Sequence, residues 1–295
     1  MKNTIAYLRM MRPANIVTSV ADVLAGIAIA GAFSWGYLAD NITGALLLCF
    51  STACLYAGGI VFNDVFDAEL DKIERPERAI PRGIISVRQA AVFGSILLTA
   101  GILFAGLYSS VSASLATGVA FFALLYNKIS KDHPFFGPLN MGLCRGLNLL
   151  LGVSIVTQAL PQWYFLAVVP IIYIFSITMI SRGEVHGGNK GNLYIAALLY
   201  TVVTGFILCF SYLNNKLLLT VIILIPFLWM IFTPLIKAIK DPVGKNIGGA
   251  VKAGVISLIL MDAAWAATFS TIYAALIIAC LLPLSLWLAK IFAVT

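Results

Sequence analysis

Residues 41–71 read NITGALLLCFSTACLYAGGIVFNDVFDAELD, and this stretch decides the fold. An apolar run over 41–62 ends directly on Asn63, Asp64, Asp67 and Asp71. A run of that length crosses a hydrocarbon core of about 30 Å as a helix. Backbone polar groups find no water in lipid, so the segment must bond them internally. The aspartates are spaced i, i+3, i+7, which puts three carboxylates on one face if the helix continues. Like charges that close repel, and a helix C-terminus adds its own negative end. A bound divalent cation removes both penalties. Carboxylate and amide oxygens suit Mg²⁺, which typically takes one or two carboxylates, waters and phosphate oxygens. Asn63, Asp64 and Asp67 are the expected metal ligands, and Asp71 is expected either to hold a second metal or to orient the loop that follows.

The apolar pattern recurs along the whole chain. Of 295 residues, 61% are hydrophobic and 11% charged, and mean hydropathy is +1.00. Soluble domains carry about 25% charged residues, so most of this surface must face lipid. Ten spans are expected, at 14–34, 41–62, 89–108, 111–127, 138–157, 162–181, 192–212, 217–236, 249–269 and 271–291. The breaks near Ser109 and Ser270 carry no charge, which leaves nine spans open as well. The fold class is an all-α transmembrane bundle forming one domain over 1–295. Seventeen of the nineteen lysines and arginines fall on one side of this ten-span arrangement; Lys216 falls opposite and Arg145 lies within a span. Cationic loops stay cytoplasmic. Both termini are therefore expected in the cytoplasm, and the location is expected to be a bacterial inner membrane. The net charge of +7 is accounted for by topology and by attraction to anionic membrane lipid. No nucleic-acid partner is expected. The five cysteines all lie in apolar segments without CxxC spacing and read as packing residues. The basic-then-apolar N-terminus opens an array of spans, so it reads as the first helix, not a signal peptide.

Polar chemistry concentrates in the cytoplasmic segments 63–88, 128–137, 182–191 and 237–248. The first continues as KIERPERAIPRG over 72–83, where Arg75, Arg78 and Arg82 alternate with turn formers. Arginine pairs bidentately with phosphate oxygens, so acids, metal and arginines together suggest a diphosphate site. Asp22, Arg145 and Asp262 lie within spans. Charges there are costly and face a bundle interior or a watery cavity. Asn15 and Asp22 are seven apart and share a helix face. Arg145 either holds a substrate anion or pairs with Asp22 or Asp262. His186, beside two glycines, is a candidate substrate contact, and Tyr126 could flank a cation with its ring.

Taken together, Asn-Asp-x-x-Asp-x-x-x-Asp at 63–71, Arg75-Pro76-Glu77-Arg78, Pro81-Arg82-Gly83, Arg12-Pro13-Ala14-Asn15 and Tyr126-Asn127-Lys128 resemble the UbiA-type intramembrane prenyltransferases. The resemblance implies a helical bundle around a central cavity that takes an allylic prenyl diphosphate and an aromatic or lipid acceptor. It implies Mg²⁺ on the aspartates, with Arg78, Lys128 and Arg145 adding fixed positive charge. One departure stands out. A second aspartate motif would follow the sixth span, where this chain reads SRGEVHGGNK over 181–190. Ser181, Glu184 and Gly188 occupy the acid positions, and only Glu184 is a carboxylate. In this the chain is similar to a divergent, EboC-like branch. Glu184 is expected to hold a weaker metal or to orient an arginine. The rival expectation is a non-catalytic lipid- or metabolite-binding protein, or a transport component, on the same fold.

Overall fold

The computed structural model describes residues 2–33, 36, 40–184, 187 and 190–292, and their regular structure is helical. Helix α1 (Lys2–Met10) meets α2 (Pro13–Ile29) at a bend of 50°. Helix α3 (Ile42–Phe66) carries the quoted apolar run, and the short α4 (Ala68–Glu74) follows it. Next come α5 (Val87–Tyr108) and α6 (Ser110–Leu125), the latter running into a π turn over Tyr126–Ser130. Helix α7 (Phe136–Val153) leads through irregular helical turns over 157–167 into α8 (Val168–Ser181). The described chain ends with α9 (Lys190–Leu213), α10 (Leu217–Lys240), α11 (Gly244–Phe269), α12 (Ile272–Ala279) and α13 (Leu281–Phe292).

Both uncharged breaks are true helix ends. Ser109 is extended, and its hydroxyl accepts a hydrogen bond from the Ser112 N–H at 3.0 Å, so α5 turns into α6 through one residue. Thr271 caps Ala274 in the same way after α11. A hydroxyl at the N-cap satisfies one of the backbone donors a helix start leaves open.

Eight helices among the described residues are long and apolar enough to span a membrane, or nine with the bent α1–α2 pair. Helix α7 stands where the fifth span is expected and is not among them. Its Asn140, Arg145 and Asn148 are buried against protein, so it does not need the uniformly apolar surface of a lipid-facing helix. Conversely, Leu107, Leu218 and Trp229 are exposed on the outside of the bundle, as a lipid-solvated surface requires. The chain is a multi-pass membrane protein.

The interior is arranged around α11, the most buried of the spanning helices at 67% of its apolar window. Ala263, Ala264, Ala266 and Ala267 keep it narrow, and Tyr173, Tyr200, Phe227 and Trp265 fill the space around it. Small residues let helix backbones approach closely in a membrane, where packing replaces the hydrophobic effect as the driving force. The α2–α7 crossing shows this most sharply. A Cβ on Gly26 would lie 2.2 Å from the Leu149 carbonyl oxygen, and one on Gly152 would lie 2.1 Å from that of Val23. This contact sets the position of Asp22 on α2 against Arg145 on α7.

Candidate functional site

The aspartate face is built where α3 stops. Asp67 ends the helix with φ −89° and ψ 4°, and α4 restarts at Ala68. The face expected from continuous helix is therefore split. Asp64 accepts from Arg12 at 3.0 Å and from Arg78 at 3.2 Å, and Arg78 also donates to Asp71 at 2.7 Å. Asp67 pairs with Lys131 instead. Asn63 links the groups: its side-chain amide donates to Asp67 at 3.1 Å and to Asn127 at 3.2 Å. Asn127 in turn donates to the Gly59 carbonyl at 2.9 Å. Arg12 occupies the left-handed region, with φ 49°, at the start of α2. A non-glycine residue is held there only by its surroundings, and here the bond to Asp64 and the following Pro13 do so.

Beside this cluster opens a cavity of about 580 Å³. Its charged lining consists of Arg12, Arg75, Arg145 and Lys252 against a single carboxylate, Glu184. Arg12 is tied to Asp64. Arg145 is tied to Asp22 at 2.7 Å and Thr18 at 2.8 Å, with its guanidinium 4.8 Å from the centre of the Tyr56 ring. Asn148 braces the same spot, donating to Asp22 at 2.9 Å and accepting from Thr52 at 2.6 Å. Burial pushes the Glu184 carboxyl above the usual carboxylate range, and the positive charge of Arg75 partly offsets this. Apolar residues such as Leu55, Ile60, Val119 and Val255 line the remainder, so the cavity offers both positive charge and apolar surface.

Of the residues picked from sequence, Asn15, Asn63, Arg75, Tyr126, Arg145 and Glu184 line the cavity. Asp64, Asp67, Asp71 and Arg78 form the ion-paired layer next to Asn63. Asp71 accepts from Arg78 of the loop that follows, at 2.7 Å. Asp22 is buried behind Arg145, and Asp262 is buried beside Asp22. Two expectations are corrected. Lys128 is exposed and away from the cavity, because the π turn carries Lys131 to the aspartates in its place. Arg82 is exposed in the loop after α4 and does not reach the site. Gly188 and the candidate His186 lie outside the described residues. Tyr56, Lys131, Asn148 and Lys252 were not singled out. Asn148 alone had a signal, standing three residues after Arg145 on the same helical face.

Among the described residues no three His, Cys, Asp or Glu side chains converge as a metal cage. The donors nonetheless fit Mg²⁺. Asn63, Asp64 and Asp67 offer hard oxygens, and Mg²⁺ commonly takes one or two carboxylates plus water and phosphate. Arg12, Arg78 and Lys131 on the aspartates show that positive charge is held at this place.

Digeranylgeranylglyceryl phosphate synthase of Methanothrix thermoacetophila is 34% identical over 145 residues, 49% of this chain and 52% of that protein. The chain thus spans about half the length of that relative. A structure of digeranylgeranylglyceryl phosphate synthase in membranes has a TM-score of 0.65 at 22% identity, over 92% of this chain and all of the other. A UbiA homolog from Archaeoglobus fulgidus bound to GPP and Mg²⁺ has a TM-score of 0.60 at 15% identity, over 91% and 99%. At these identities the likeness to both structures shows the fold. The UbiA prenyltransferase family itself is matched over residues 22–232, most of the bundle including the aspartate helix and α7, and the chain belongs to that family.

Proposed function

We propose that this protein is a Mg²⁺-dependent prenyltransferase acting within the membrane. The observation that carries the proposal is a cavity lined by four cations and one carboxylate among apolar residues, opening beside the Asn63–Asp64–Asp67 cluster. A prenyl diphosphate combines an anionic end with an apolar chain. Mg²⁺, when bound at Asn63, Asp64 and Asp67, would supply Lewis acidity and charge to a diphosphate leaving group. Arg75 and Arg145 would add fixed positive charge where negative charge develops, without reorganisation at the moment of reaction. The allylic C–O bond breaks with its electron pair leaving on the diphosphate. The acceptor's nucleophilic atom forms the new bond to the allylic carbon and then loses a proton. Leu55, Val119 and Val255 would keep water from the allylic cation, and the rings of Tyr56 and Tyr126 would face it. The relatives' name favours a lipid acceptor over an aromatic one. Formation of inorganic pyrophosphate tests the reading. Purified protein in lipid, given Mg²⁺, C10–C20 prenyl diphosphates and lipid or aromatic acceptors, is expected to release it, and chelation to stop it. No pyrophosphate from any pairing would sink the enzyme reading in favour of a binding protein on this fold.

We further propose that the chain forms one domain in a prokaryotic cytoplasmic membrane, with both termini and the aspartate loop in the cytoplasm. The relatives found are archaeal, so the bacterial source expected from sequence has no support. The lysine and arginine asymmetry supports the orientation. In a background without native cysteines, a cysteine at exposed position 245 should react with an impermeant thiol reagent from the cytoplasmic side. One at position 216 should react only from the other side; labelling of both from one side refutes this topology.

A further inference from the structure

Two walls of the cavity differ in a way the aspartate cluster does not explain. On the α3 wall, acids and cations balance in close pairs. On the opposite wall stand Ser181 and Glu184 at the end of α8, with Gly248 and Lys252 from α11. Gly248 faces Glu184: a Cβ built on it would lie 4.0 Å from the Glu184 Cγ. Lys252 is four residues on, so it stands one turn further along the same face of α11. Lys252 has no ion-pair partner among the described residues, and neither has Arg75. Glu184 is the only carboxylate among the described residues that line the cavity. A wall with one such carboxylate is a poor Mg²⁺ site, since affinity depends on ligand charge. An unpaired lysine on this wall, with Arg75 close enough to act on its one carboxylate, favours an anion.

We propose that Lys252 is a diphosphate-binding residue. Its ammonium, with the Arg75 guanidinium, supplies from the protein the positive charge that a second metal ion would bring to this wall. The site then works with one Mg²⁺. An ammonium is a point charge on a flexible stem and can follow the leaving group as its charge grows. This inference rests on the proposed prenyl diphosphate reading. It adds a residue and a metal count to that reading.

The test uses full-length protein in lipid nanodiscs and a non-hydrolysable C20 prenyl thiolodiphosphate. Affinity is measured calorimetrically at saturating Mg²⁺, and bound Mn²⁺ is counted by electron paramagnetic resonance. Lys252→Gln is expected to weaken analogue binding at least tenfold, and Lys252→Arg to stay within threefold of wild type. Because Lys252 is exposed, neither change should alter the thermal transition. One analogue-dependent Mn²⁺ per protein is expected. Wild-type binding with Lys252→Gln unchanged, or two Mn²⁺ ions per protein, overturns this inference and leaves the enzyme reading standing. No analogue binding by the wild type overturns both.

Discussion

Asp64→Asn is expected to abolish Mg²⁺-dependent binding of a prenyl diphosphate and to lower turnover by about 10²–10³-fold, the range seen when one preorganised electrostatic contact is removed. Read from sequence, neutralising one of three crowded acids would relieve repulsion and leave the fold intact. The structure reverses that expectation. Asp64 is 7% exposed and accepts from both Arg12 and Arg78, so the amide leaves two guanidinia sharing too little negative charge. Arg12 also loses the bond that helps hold its left-handed backbone. A fall in the thermal transition should therefore accompany the loss of binding. Asp67→Asn separates the two effects. Asp67 has Lys131 as its cation, and that lysine side chain is partly exposed and can turn to solvent. This variant should keep the thermal transition near wild type while losing Mg²⁺ dependence to a similar degree. If both variants bind the diphosphate with wild-type Mg²⁺ dependence, the aspartates are only an ion-paired helix end.

Much of this was legible because membrane helices are forced by length and apolarity, and because charge is too costly inside them to be incidental. The run over 41–62 became α3, and Asp22, Arg145 and Asp262 were marked for a bundle interior or a cavity simply by lying within spans. The helix break at Asp67 was not legible, since it comes with ion pairs from Asp64 and Asp67 to Arg12 and Lys131, far away in sequence. Lys128, not Lys131, followed from the resemblance carried by Tyr126-Asn127-Lys128, which says nothing of how the chain turns after it. One π turn, with the Lys131 N–H bonding the Tyr126 carbonyl, rotates the end of α6 and brings a different lysine inward. Lys252 looked like any lysine at a cytoplasmic span end. Only the packing of α11 against the end of α8 turns it into the cavity. Tyr56, within an unbroken apolar run, carried no mark at all.

Arg145→Met is expected to destabilise the protein by about 3–5 kcal/mol, the cost of leaving a buried ion-pair partner uncompensated. For a chain of this size that corresponds to a thermal transition lower by about 10 °C. Asp22 is fully buried and also receives Asn148, so the stranded carboxylate has no route to water. The pair itself need not stabilise: replacing both partners often costs little, because desolvation of two charges offsets their attraction. Asp22→Asn with Arg145→Met should therefore recover most of the lost stability, with the new amide keeping its place beside Asn148. That double variant isolates the second role of Arg145. Its guanidinium lines the cavity, and the bonds to Asp22 and Thr18 leave other donors of the fork available to a ligand. A stable double variant is expected to bind the prenyl thiolodiphosphate about tenfold more weakly, or 1.4 kcal/mol. Recovered stability with wild-type affinity would show that Arg145 serves packing alone. Failure of the double variant to recover would show that Asp22 and Arg145 are needed individually, against the pairing drawn here.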